Sequence, residues 1–113
     1  VIGVNDALRA AAGRPVLLDF YADWCTSCKE LERDTFADPE VRTALAGVLA
    51  LRADVTANDE ADQRLLKHFG VIGPPAILFF GPDGRELRGH RVVGFMAAEP
   101  FGEHLRTMRR NRG

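Results

Sequence analysis

A chain of 113 residues with 46% hydrophobic content is long enough for one domain with an ordinary core, built without disulfide or metal staples. Its charges almost cancel, 15 Lys and Arg against 16 Asp and Glu, which removes the electrostatic ground for nucleic-acid binding or for an anionic membrane surface. The best apolar stretch, Val71 to Phe80, is short and broken by Gly73-Pro74-Pro75, so it does not span a bilayer.

The sequence begins at Val1 with neither an initiator Met nor a signal peptide, the pattern of a fragment or processed chain with its targeting information upstream. No repeat, low-complexity segment or linker interrupts it, so residues 1–113 are expected to form one domain. Val4, Leu8 and Ala11 share one face of a short helix, ended by Gly13 and Pro15. Val16 to Ala22 is a buried strand. A helix then runs through Leu31 toward Phe36, and Asp38-Pro39 marks the next helix as N-cap and first helical residue, with Val41 and Leu45 inward and a stop at Gly47.

Val48 to Val55, with Arg52 expected buried, suits a second central strand. Thr56 to Asp59 is turn-like. Ala61, Leu65 and Phe69 pattern a helix that Gly70 ends. Ala76 to Phe80, the turn Gly81-Pro82-Asp83-Gly84 and a strand near Arg91 to Phe95 predict a hairpin. A last helix carries Phe101, Leu105 and Met108 on one face, and the basic cluster Arg106, Arg109, Arg110 and Arg112 reads as its solvated end. The element order predicts an α/β fold, a mixed central β-sheet flanked by helices on both faces.

Trp24-Cys25-Thr26-Ser27-Cys28-Lys29 follows the first strand and opens a helix. That placement holds Cys25 at a helix N-terminus, where unpaired N–H groups favour a thiolate, with Cys28 one turn on and within disulfide reach. These are the two cysteines of the chain, so a reversible dithiol/disulfide centre is the leading reading. Cys25, nearer the helix start, is the expected nucleophile, and the deeper Cys28 resolves the mixed disulfide. A zinc site would need two further ligands, whereas His68, His90 and His104 are scattered singly; no metal or organic cofactor is expected.

Asp19 lies inside an otherwise apolar strand, where ionisation is costly and its pKa should rise. Glu32, two helical turns after Cys25 on the same face, either approaches the thiols or forms a surface salt bridge. If both carboxylates lie near Cys25, they oppose its ionisation, and its pKa should be no lower than that of a free cysteine. Trp24 is expected to shield the thiols and meet a partner; Phe20 combines packing with the same recognition role.

Leu18-Asp19-Phe20-Tyr21-Ala22-Asp23-Trp24-Cys25-x-x-Cys28-Lys29, followed by Gly73-Pro74-Pro75 before a strand, resembles the thioredoxin superfamily. Glu30-x-Glu32, Thr35-Phe36-x-Asp38-Pro39-x-Val41, Val55-Thr56-Ala57-Asn58-Asp59, Leu65-Leu66-Lys67-His68 and Arg91-Val92-Val93-Gly94-Phe95-Met96 are similar to the C-terminal periplasmic domain of the DsbD thiol:disulfide interchange family. The resemblance implies a thioredoxin fold, a cis Pro75 facing the cysteines, and Asp19 as an acid beneath them. It also implies electrons arriving from a transmembrane domain and leaving to an immunoglobulin-like N-terminal periplasmic domain, in a periplasmic protein-disulfide reductase tethered to the inner membrane and monomeric as an isolated domain.

Two residues depart from the pattern. Thr26-Ser27 stands where ordinary thioredoxins carry Gly-Pro, so their redox potential does not transfer, and Pro74 offers no N–H to a partner strand docking at this loop. A free-standing secreted reductase is the neighbouring reading, and a redox-inert binding or metal module on the same scaffold is the one from another class; insulin reduction by the dithiol form separates enzyme from scaffold.

Overall fold

The computed structural model describes residues 13–112, with side chains to Met108. The helix expected at Val4, Leu8 and Ala11 lies outside the described residues. Strand β1, Val16–Tyr21, is buried at all six positions. It pairs in parallel with β2, Leu49–Asp54, and antiparallel with β3, Ala76–Phe80, while β4, Val92–Val93, pairs antiparallel with β3. The sheet order is therefore β2-β1-β3-β4.

Strand alternation sends successive side chains of β1 to opposite layers. Val16, Leu18 and Phe20 meet helix α3, Glu60–Phe69, through Leu65, Leu66 and Phe69. Phe69 stands edge-on to both Phe20 and Phe80. Leu17 faces the other layer with Ile77, Phe79, Leu31, Val41, Phe101, Leu105 and Met108. That layer is built from α1, Thr26–Glu30, its π-helical continuation Leu31–Phe36, α2, Pro39–Ala44, and α4, Ala98–Arg112.

The helix starts follow from their caps. Asp38 Oδ1 accepts from the Glu40 and Val41 amides at 2.9 and 3.2 Å, ahead of Pro39 at the first helical position. Asp59 accepts from the Asp62 amide while Asp62 accepts from that of Asp59, a reciprocal capping box that satisfies two otherwise orphaned donors. Gly70, at φ +67°, ends α3 in the left-handed conformation that its sequence position predicts.

Three expectations need correction. The segment after β3 is not a simple hairpin: after the turn closed by Gly84 N–H to Gly81 O, the chain makes a bridge from Glu86 to Phe80 and a 3₁₀ turn at Arg88–His90. Only Val92 and Val93 then pair. Arg91 points inward, where it forms an ion pair with Glu86 and donates to the Phe69 carbonyl at the end of α3, and Gly94 at φ +88° turns the backbone away. Arg52 is exposed rather than buried, because β2 is an edge strand of the sheet and its side chains stand at the margin of the helix layer. The Cys-x-x-Cys helix changes from α to π at Leu31, a transition that the side-chain periodicity does not signal.

Phe101 is fully buried against Phe36 and Phe79. Phe101→Ala is expected to lower the unfolding free energy by ~3–5 kcal/mol, the usual range for emptying a large aromatic site, as read by urea denaturation of the oxidised domain.

Candidate active site

At the end of β1 the chain turns, with Cys25 N–H donating to the Ala22 carbonyl at 3.0 Å. Cys25 is the N-cap of α1, with extended backbone, and its Sγ accepts the Cys28 amide at 3.1 Å. The two cysteines are joined as a disulfide across a Cα separation of 5.2 Å. Both are buried, Cys25 less so at 6% exposure than Cys28 at 2%. Cys28 Sγ lies 3.8 Å from the Phe20 carbonyl, the floor of the site.

Trp24 projects from this turn and is 59% exposed, yet its position is fixed because Nε1 donates to the Thr56 carbonyl at 2.9 Å. Thr56 also accepts the Asp23 amide on its hydroxyl, and Asp54 in turn receives the Thr56 amide and hydroxyl. Those bonds hold the Asp54 carboxyl below its ordinary range. The turn after β2 therefore braces the turn that carries the cysteines.

Antiparallel pairing places Ala76, the first residue of β3, opposite Phe20 near the end of β1. The Pro74–Pro75 peptide just before it is cis, and so lies at the cysteine end of the sheet. The Pro75 carbonyl is taken by the Gly94 amide at 3.1 Å. Pro74 and Pro75 are half-buried, whereas Phe20 is completely buried. Phe20 therefore presents no surface to a partner: β1 is central, and α3 covers the face on which its ring lies. Ile72, Val93 and Phe95 are exposed apolar residues on segments flanking the proline loop. Sequence reading missed them as site residues, because an apolar residue in or beside a strand pattern signals core, whereas Val93 faces outward by alternation with the buried Val92 and Phe95 follows the turn at Gly94.

Asp19 is 9% exposed on the helix-covered face opposite Phe20. Burial pushes its carboxyl up to about 6, against a smaller opposing pull from Arg52, its register partner on β2. Glu32 forms an ion pair with Arg52, whose guanidinium also sits 4.0 Å over the Tyr21 ring. Asp19, Glu32 and Arg52 line one cleft of about 350 Å³ with Leu17, Phe36 and Leu51 among its walls. Neither cysteine lines that cleft. The structure thus brings the two carboxylates to each other and to Arg52, and of the two readings of Glu32 the ion pair is the one with a contact.

The sequence profile of thioredoxin-like proteins matches residues 3–82. The chain belongs to the thioredoxin-like family. Over 103 residues, 91% of its length, it is 56% identical to the thiol:disulfide interchange protein DsbD of Escherichia coli K12, of which it spans 18%. Among solved structures it is similar to the DsbD C-terminal domain of Neisseria meningitidis in the reduced form, with 38% identity, a TM-score of 0.73, and coverage of 94% of this chain and 90% of that one. A thioredoxin from Thermus thermophilus superposes with a TM-score of 0.75 at 25% identity, covering 94% and 82% of the two chains. The expected thioredoxin fold is thus present, with its mixed sheet and flanking helices.

In this thioredoxin-like domain the three histidines stand apart from the cysteines in sequence, with His68 edge-on to Phe69 and His104 bonded to the His90 carbonyl. Asp19 has a measurable consequence. Its pKa is about 6 folded against 3.8 for an unperturbed aspartate, so the folded state holds the extra proton between these limits and stability falls as pH rises through that window. Asp19→Asn, which cannot ionise, should gain on the parent by about 3 kcal/mol between pH 3.5 and pH 7, measured by urea denaturation of the oxidised form at each pH. A constant difference across the window would show that Asp19 titrates normally.

Proposed function

We propose that this domain is a thiol–disulfide oxidoreductase, a protein-disulfide reductase whose working centre is the Cys25-Cys28 pair. One observation carries the reading: a Cys-x-x-Cys disulfide at a helix start, with Cys25 as the cap, at the same end of the sheet as a cis-proline loop. In the reduced state the Cys25 thiolate attacks a partner disulfide, forming a mixed disulfide and releasing one partner sulfur as a thiolate that takes up a proton. Cys28 then loses its proton and attacks Cys25 Sγ. The Cys25–Cys28 bond forms, the bond to the partner breaks, and the second partner sulfur leaves as thiolate: two electrons have moved to the partner, and the domain is oxidised.

Cys28 is too buried to hand its proton directly to bulk water, and Asp19 is the buried carboxylate on the strand beneath α1 with a pKa near the working range. Cys28 lies on α1, whose π-helical continuation carries Glu32 into Asp19's cleft. Asp19 therefore serves as the proton acceptor for Cys28. Trp24, Pro74 and Pro75, with Ile72, Val93 and Phe95, form the apolar rim that a partner covers; Pro74 has no amide hydrogen, and the Pro75 carbonyl is already engaged by Gly94, so docking relies on apolar contact more than on strand addition.

Similarity to DsbD supports a place in electron transfer at the periplasmic face of the inner membrane, with a transmembrane domain as donor and an immunoglobulin-like periplasmic domain as acceptor. Among the described residues no helix is long and apolar enough to cross a membrane.

The dithiol form should catalyse insulin reduction, and Cys25→Ser and Cys28→Ser should each fall to the uncatalysed rate. Cys28→Ser alone should accumulate a mixed disulfide, identified by mass spectrometry at Cys25. Trp24→Ala should weaken partner binding by about tenfold, the scale of a modest interface anchor. Faster alkylation of Cys28 than of Cys25 in the reduced domain would reverse the assigned roles, and a dithiol form without insulin reductase activity would leave the fold as a scaffold.

A further inference from the structure

Arg52 is an exposed residue of the edge strand β2. It stands beside Asp19 on the adjacent parallel strand, on the same face of the sheet. Its guanidinium is held on two sides, by the ion pair with Glu32 and by the Tyr21 ring 4.0 Å away. Tyr21 is itself anchored, donating to Asp23 Oδ1 at 2.9 Å and receiving Lys29 Nζ at 3.5 Å. An exposed arginine that only solvated a strand edge would not be held by both an ion pair and an aromatic face.

We infer that Arg52 is a positioning residue for the redox centre: by binding Glu32 and lying alongside Asp19, it assigns the two carboxylates different tasks, holding Glu32 as a paired anion and leaving Asp19 to exchange the proton. This rests on the proposed role of Asp19 as acceptor for Cys28.

The charges around Asp19 are few. Arg52 comes from β2 and Glu32 from the π-helical segment, with Asp54 two residues further along β2; Tyr21 lies on β1 itself, and Cys28 and Lys29 lie within the overlying helix. From β3 the neighbour in register is Ile77, which is apolar, and α2 contributes the apolar C-cap residue Leu45. Arg52 is therefore the cation nearest in register to Asp19, and Glu32 the anion that shares its cleft. Removing the cation disfavours the Asp19 carboxylate; removing the Glu32 carboxylate favours it, both by taking away a like charge and by freeing Arg52.

The test is an NMR titration of the Asp19 carboxyl carbon in the oxidised domain, together with the pH profile of the step in which Cys28 resolves a mixed disulfide. In Arg52→Gln the Asp19 midpoint should move up from about 6, and resolution at pH 6 should slow by roughly three- to tenfold, the lower part of the range for losing one neighbouring charge. Arg52→Lys should restore both. Glu32→Gln should move the midpoint down and keeps the inference testable if Arg52→Gln folds poorly. A salt bridge with only a structural role would change unfolding free energy and leave both readouts unmoved. An Asp19 midpoint unchanged in Arg52→Gln and in Glu32→Gln overturns the inference, even if Asp19→Asn removes the pH inflection. An inflection that survives in Asp19→Asn instead overturns the assignment of Asp19 as acceptor, and the role of Arg52 in the reaction falls with it.

Discussion

The antiparallel pairing of β1 with β3 is the constraint on which the site depends. Cys25 follows the end of β1 and the cis-proline loop precedes the start of β3, some fifty residues apart in sequence. Opposed strand directions bring an end and a beginning to the same edge of the sheet. The parallel partner β2 adds its own end there, so the Thr56 turn can brace Asp23 and Trp24. Three loops from distant parts of the chain thus converge through backbone pairing, and the apolar layers on both faces of β1 hold that pairing in place.

The same burial makes Asp19 costly. A strand enclosed on both faces by α3 and by the α1, α2 and α4 layer is a place for valine and leucine, which is what its other positions largely supply. A carboxyl there is kept from full ionisation by desolvation and drawn part of the way back by Arg52. The result is a group able to change protonation near neutral pH, the property that a proton acceptor needs and a structural carboxylate lacks. Stability is given up at neutral pH for that property.

The surface around the cysteines follows a different logic. Trp24 is exposed but immobilised by its indole bond to Thr56, so it presents a broad apolar face with little conformational entropy left to lose on binding. Val93 is exposed because it alternates with the buried Val92, and Phe95 follows the turn at Gly94, φ +88°, that ends β4.

Local chemistry made much of this legible in one dimension. The Cys-x-x-Cys after an apolar run, the Asp38-Pro39 start, the Gly70 stop and the inward face of the last helix each depend on residues a few positions apart, and propensity, capping and periodicity act over that range. The redox pair and the peculiarity of Asp19 belonged to the same class of signal, while the cis proline came from resemblance to a family. Tertiary structure alone decided the rest: that Phe20 is sealed beneath α3, that Arg52 lies exposed beside Asp19 and takes Glu32, that β4 stops after two residues, and that Ile72, Val93 and Phe95 surround the proline loop. Each of these depends on which distant segment lies across a given face, a choice made by sheet register and layer packing, and no local pattern in the sequence carries it.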